Sequence, residues 1–227
     1  MALALVTDVI APVRGCHRRI VVLDHAEWRT TSGQVLAALG VRTSTIAPED
    51  ELAARIAAEE PVRARERALR LLAYRERSVA ELRERLREDG YPDGVTGAVI
   101  ADLERAGLVD DERFAGAMAR LLTEVRGMGR SRALRELAAK GVDPDLALAA
   151  LDESLPPDAE RESALRLAHA LAARPGATVD RVAARLARKG YAAPVALGAA
   201  REALANSPES QPDVEDGFDI DDGADLR

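Results

Sequence analysis

Few residues of this chain could carry covalent chemistry. The single cysteine, Cys16, is directly followed by His17, a side-by-side placement that does not set a nucleophile against its base. His17, His25 and His169 have no metal-ligand spacing, so no metal and no other cofactor is expected. Gly127-Met128-Gly129 is too short for a phosphate loop with its lysine and reads as a turn. An enzyme is therefore the class the sequence supports least. What the chain does offer is arginine. Arg75 and Arg77 form one group, Arg130, Arg132 and Arg135 a second, and Arg181, Arg185, Arg188 and Lys189 a third. Such stripes suit contact with an acidic protein surface or with nucleic acid. The plain alternative is solvated arginine in i,i+4 pairs, such as Glu81 with Arg85, contributing about 0.2–0.5 kcal/mol per pair.

The elements that would position these arginines share a frame. In residues 78–91, SVAELRERLREDGY, Ser78 stands at a helix N-cap and Glu81 three places on, so hydroxyl and carboxylate can each take a free backbone N–H in a capping box. Leu82 and Leu86 follow one turn apart, and Gly90 stands where a left-handed residue would close the helix. Gly129, Ala133, Leu137 and Gly141 repeat that spacing, as do Thr178, Val182, Leu186 and Gly190. Val95, Leu146 and Val195 extend it downstream, and Leu71, Leu122 and Leu171 extend it upstream. A period near about fifty residues with matched caps, leucines and glycines reads as tandem units of three short helices, each burying its apolar stripes best against a neighbour. The competing reading is one helical bundle with accidental spacing.

Composition agrees with helices. Nearly half of the 227 residues are apolar, chiefly Ala, Leu and Val, whereas aromatic residues make up 3%, which disfavours a β-sandwich. One cysteine excludes an internal disulfide and fits a reducing compartment. MALALVTD lacks a basic n-region and reaches Asp8 after a short apolar run, so neither a signal peptide nor a membrane span is expected and the reading is cytoplasmic. From Asn206 onward eight acidic residues face Arg227 alone, which accounts for the net −7 and leaves the body neutral. Within that body residues 120–140 carry six bases and two acids, while 141–160 carry six acids and no base, which predicts a basic and an acidic face.

In chain order, 3–10, 18–23 and 27–30 read as strands of a small antiparallel sheet. Ser32–Leu39 reads as a short helix stopped by Gly40, and a second helix runs from Pro48 to about Glu60. Pro61 is expected to open a new helix with Val62, Leu69 and Leu72 buried and Arg63, Arg65, Arg67 and Arg70 leaving its other side positive. Asp110 reads as the N-cap of a helix whose core residues include Phe114, Ala115 and Met118, and Asp143-Pro144 starts another. The resulting layout is a β/α segment over 1–60, three-helix units over 61–109, 110–155 and 158–205, and an acidic tail over 206–227. That tail has too few apolar residues to repay ordering. The class is mainly α: three tandem three-helix repeats in an elongated curved body, preceded by a small β-containing segment. The third repeat, rich in alanine, is expected to be the least stable.

The segments ALRLLAYRERSVAEL (68–82), GLVDDERFA (107–115) and GRSRALRELAAKGV (129–142), at their spacings, resemble the RecX family, regulators of the bacterial recombinase RecA. LDHAEW (23–28) leading to two helices is similar to the family's longer form. The likeness covers roughly residues 3–205 and is strongest over 68–151. It implies a protein that binds the helical groove of the RecA filament on single-stranded DNA and restrains strand exchange, ATP hydrolysis or filament growth; a monomer is expected. Arg75 and Arg77 match the family's Arg-x-Arg-Ser segment and Arg132 its Gly-x-x-Arg segment, so the resemblance implies partner contact there. Asp110, Asp111 and Phe114 match as well, but as cap and core residues. A direct DNA-binding module is the rival, because three-helix units with a basic middle helix also describe helix-turn-helix domains. Against it stand the neutral body and the scarcity of aromatic side chains for stacking. A passive repeat scaffold for some other protein is a third possibility.

Overall fold

The computed structural model describes residues 3–14 and 16–206, which form four strands and ten α-helices. Residues 207–227, and with them the expectation for the acidic tail, lie outside the described residues. Strands β1 (Leu3–Ile10), β2 (Arg18–Leu23), β3 (Ala26–Ser32) and β4 (Ile46–Pro48) make an antiparallel sheet in the order β3-β2-β1-β4. The first three follow the β-branched runs. The three-residue β4 was not foreseen, since it is held only by its pairing with Leu3–Leu5 of β1. Ala4 and Val6 point into the core while Leu3 and Leu5 stay exposed, as alternation in a half-buried strand requires. The indole Nε1 of Trp28 on β3 donates to Glu49 at 2.8 Å. Helix α1 (Gly33–Leu39) starts at the Ser32 hydroxyl and ends at Gly40, as its sequence predicts.

The expected break at Pro61 is absent: α2 runs from Glu49 to Tyr74 with the proline inside it. A mid-helix proline removes one hydrogen bond and frees the carbonyl four residues back. Ala57 and Pro61 are both exposed, so that carbonyl faces water. On the opposite side Leu52, Ile56, Glu60, Ala64, Ala68 and Leu71 form an unbroken buried stripe that keeps both halves in one helix. Buried Glu60 is fully engaged, taking the Thr31 hydroxyl at 2.8 Å and Arg29 at 3.1 Å. The buried side is thus Ala64, Ala68 and Leu71, whereas Val62 and Leu69 are exposed. The arginine face is largely neutralised, because Arg63 binds Glu59 and Glu66, and Arg67 binds Asp89 at 2.7 Å.

The rest is built in helical threes. The C-terminal half of α2 is followed by α3 (Val79–Glu88) and α4 (Asp93–Arg105). Helix α5 (Asp111–Arg120) continues into a π-helical turn, Leu121–Val125, and is followed by α6 (Arg130–Ala139) and α7 (Pro144–Ser154). The last set is α8 (Pro157–Ala172), α9 (Val179–Lys189) and α10 (Ala193–Ala205). Leu82 and Leu86, Ala133 and Leu137, and Val182 and Leu186 are buried on the three middle helices. Each of these helices closes in the same way. Gly90, Gly141 and Gly190 take positive φ, and the next residue's N–H reaches back five places to the second core leucine: Tyr91 to Leu86 at 3.1 Å, Val142 to Leu137 at 3.2 Å, Tyr191 to Leu186 at 3.2 Å. That bond, running from the residue after the glycine, is the Schellman closure that left-handed glycine permits.

Two compact units are present, Met1–Val125 with Ala133–Ser154, and Arg126–Arg132 with Leu155–Arg227. The first has a continuous core from Val6 and Val21 of the sheet through Leu52 and Ile56 to Leu82, Leu86, Ile100 and Leu103. The second packs Leu171, Val182, Leu186 and Tyr191 among alanines of α8, α9 and α10. Among the described residues no helix is long and apolar enough to cross a membrane.

Candidate functional site

In the first unit the α3 cap does more than its local sequence requires. The Ser78 hydroxyl, fully buried, accepts the Glu81 N–H at 3.0 Å and donates to the Lys140 carbonyl at the end of α6 at 2.5 Å. Half of the capping box is therefore present. The other half is replaced, because the Glu81 carboxylate turns to Arg75, which it receives through two N–H bonds of 2.9 and 3.1 Å, and to the Lys140 ammonium at 2.8 Å. Burial by itself would raise the Glu81 carboxyl, but the hydrogen bonds and charges of Arg75 and Lys140 outweigh it and hold the group at about 2. The expected Glu81–Arg85 pair does not form, and Arg85 binds Glu88 at 2.7 Å instead. Asp111 supplies the first N–H of α3 with its acceptor, Val79 N–H at 2.8 Å, while Asp110 caps its own helix through the Arg113 N–H at 2.9 Å. Phe114 is buried, so cap and core are the roles these three residues hold.

Arg75 is thus committed to Glu81. Arg77 is not: its Nε reaches only the Leu71 carbonyl at 3.5 Å, and no carboxylate pairs with it among the described residues. Burial, and then the neighbouring charge of Arg75, pull its guanidinium below the ordinary arginine value. Arg77 borders an open groove of about 470 Å³ with Ala80, Glu84, Arg85, Lys140 and Gly141. A methyl group on Gly141 would run into Ala80, so α6 can meet the start of α3 this closely only through glycine.

The second unit makes the corresponding joint from backbone. Gly129 N–H donates to the Lys189 carbonyl at 3.0 Å, Ser131 N–H to the Gly190 carbonyl at 3.1 Å, and the Arg132 guanidinium to the Arg188 carbonyl at 3.4 Å. The free carbonyls at the end of α9 are satisfied in this way. Gly129 lies so close to Gly190 and Tyr191 that it has no room for a Cβ. Lys189 donates to the Arg126 carbonyl at 3.0 Å, and the Arg130 backbone N–H is taken by Glu160 at 3.0 Å. Arg132 and Lys189 therefore help to join helices. Arg135 is exposed, without an ion pair among the described residues.

Arg181, Arg185 and Arg188 come together. With Arg174 they rim a groove of about 380 Å³ whose floor includes Leu171 and Val182 and whose lining, among the described residues, contains no acidic side chain. The turn after α8 is fixed by Ala177 N–H to the Arg174 carbonyl at 3.1 Å and by the Arg181 guanidinium to the Gly176 carbonyl at 2.9 Å. Arg174, Arg185 and Arg188 are exposed and have no ion pair among the described residues. Sequence reasoning missed Arg174. Its signal was the Arg-Pro-Gly turn just ahead of the Thr178 cap. Four guanidinium groups over an apolar floor can bind phosphate or carboxylate groups. Among the described residues no group of histidine, cysteine and acidic side chains could hold a metal ion.

Comparison with known proteins accounts for this architecture. The model described as RecX, first three-helix domain, matches residues 64–103, and that described as RecX, second three-helix domain, matches 110–151. The chain is 36% identical over 160 residues to Regulatory protein RecX of Corynebacterium efficiens, covering 66% of this chain and 76% of that protein. It is 38% identical over 154 residues to the protein of the same name from Thermobifida fusca, covering 65% and 83%. The counterpart from Mycobacterium marinum is 40% identical over 142 residues, covering 59% and 80%. In structure, a crystal structure of regulatory protein RecX superposes with a TM-score of 0.59 at 23% identity over 90% of this chain and 100% of that one. RecX from Lactobacillus salivarius gives 0.60 at 22% identity over 64% and 97%, so both show likeness of fold. With paired three-helix domains in register and relatives matched over most of their length, the chain belongs to the RecX family of regulatory proteins.

Proposed function

We propose that this protein regulates the RecA recombinase of its own host by binding the filament RecA forms on single-stranded DNA, restraining ATP hydrolysis, strand exchange or filament growth. Membership of a family whose relatives are named regulatory proteins supports the regulatory part. The observation that carries the contact part is the arginine-rimmed groove of α9, where Arg174, Arg185 and Arg188 have no carboxylate neighbour in the lining among the described residues. Charges left unpaired on a folded surface are available to an acidic protein face or to a phosphate backbone. Of the nine basic residues singled out by sequence, Arg77, Arg135, Arg181, Arg185 and Arg188 are the contact residues in this reading. Arg75, Arg130, Arg132 and Lys189 hold helices in place.

The test is DNA-dependent ATP hydrolysis by the host recombinase, with this protein added at substoichiometric to equimolar amounts. Hydrolysis slows with the native chain, and Arg185→Gln with Arg188→Gln weakens the effect at unchanged helicity. Undiminished hydrolysis removes the proposal. Direct DNA binding is the second reading, and the same groove favours it. Binding to bare oligonucleotide across a salt series, beside binding to recombinase-coated strand, separates the two. A steep salt slope with no requirement for recombinase supports direct DNA binding.

A further inference from the structure

The α9 groove has a counterpart in the chain's own sequence. Its rim is four arginines, its floor includes Leu171 and Val182, and among the described residues no carboxylate lines it. Beyond α10 the sequence interleaves acidic and apolar residues, with Glu209, Asp213, Glu215, Asp216, Asp219, Asp221, Asp222 and Asp225 around Val214, Phe218 and Ile220. Acid for the rim and apolar side chains for the floor thus occur in one segment. We propose that residues 209–225 dock in the groove of Arg174, Arg181, Arg185 and Arg188 of their own chain, so that any external polyanion must displace them.

Chain length permits this contact. Helix α10, which the segment follows, packs on α9 and α8 in the same compact unit. The twenty-one residues after Asn206 can span up to about 70 Å, whereas α9 is only about 16 Å long. Tethering gives the segment an effective concentration on the order of a millimolar, enough to fill even a weak site. The contact is electrostatic and therefore weakens with salt. This inference is independent of the recombinase reading, and its test contains no recombinase.

Two full-length chains are compared, the native one and one in which the eight carboxylates from Glu209 to Asp225 are changed to their amides. The probe is short-chain inorganic polyphosphate at low salt. The amide variant binds it about tenfold more tightly, as expected when a tethered competitor is removed. The backbone amide resonances of Gly176 and Ala177 differ between the two chains. Placing Arg174→Gln, Arg185→Gln and Arg188→Gln in both backgrounds abolishes the difference in affinity. Equal affinity in the two parent chains overturns the proposal, as does a gain that survives the arginine changes. Resonance shifts that fade on dilution would mean that a second copy's segment fills the groove, and they overturn docking within one chain.

Discussion

Helices α3 and α9 each start at a hydroxyl cap, bury two apolar residues one turn apart and end on a left-handed glycine. Their charges differ. Helix α3 interleaves Glu81, Glu84 and Glu88 among its arginines, and Arg85 binds Glu88 at 2.7 Å while Arg87 reaches Asp93 at 2.8 Å. Helix α9 has Asp180 as its one acid, in the first turn, and Arg185 and Arg188 stand over a groove with no ion pair among the described residues. The same backbone frame therefore produces a self-neutralised surface in one place and an open cationic one in another. What separates them is whether acids fall at i±3 and i±4 of the arginines.

Helices α3 and α9 sit on cores of the same kind. Leu86 and Leu186 are both fully buried, so Leu86→Ala and Leu186→Ala each cost about 2–5 kcal/mol in urea unfolding. Hydrogen exchange assigns each loss to its own unit: Leu186→Ala deprotects α8, α9 and α10, and Leu86→Ala deprotects α2, α3 and α4. Loss of protection throughout in both variants would mean that the helices do not report on separate cores. Next come the joints. Gly141→Ala and Gly190→Ala force a side chain into left-handed backbone at about 1–3 kcal/mol each and also collide with Ala80 and Arg132. Gly107→Ala, with open space around it, should lower the melting temperature less than either.

A smaller effect sharpens the contrast in charge. The Glu81 carboxyl is held at about 2 when folded against an ordinary 4.5, so its ionised form favours the folded state. That contribution is complete above about pH 4.5 and is lost as pH falls toward 2. Glu81→Gln should lower stability at pH 7 by about 1–3 kcal/mol and flatten the acid limb of the stability profile. A wild-type acid limb in the variant would mean other carboxylates cause it. The smallest change is expected at exposed arginines. Arg85→Ala and Arg185→Gln each shift stability by no more than about 0.5 kcal/mol, but only Arg185→Gln weakens binding of polyphosphate in a salt titration.

What could be read from the sequence was what is decided within a few residues. Ser78, Asp110 and Thr178 cap the helices their positions implied, and Gly90, Gly141 and Gly190 close them, because cap and closure depend on local hydrogen bonds. Pro61 misled because its cost depends on what faces it, here water on one side and a stripe from Leu52 to Leu71 on the other. Glu81 misled because Lys140, fifty-nine positions away in sequence, competes for the carboxylate that local rules give to the cap. The groove was half legible: Arg181, Arg185 and Arg188 share a helical face, whereas Arg174 joins them through a turn whose conformation rests on the Gly176 carbonyl.

Trp28 decides how all of this will be observed. It is the chain's one tryptophan, and its indole is tied to Glu49 where the sheet meets α2 in the first unit. Indole emission consequently watches the first unit alone, while the second unit, with Tyr191 as its aromatic side chain among the described residues, melts in the dark. A fluorescence trace of Leu186→Ala would look native even as far-ultraviolet dichroism recorded the loss of three helices.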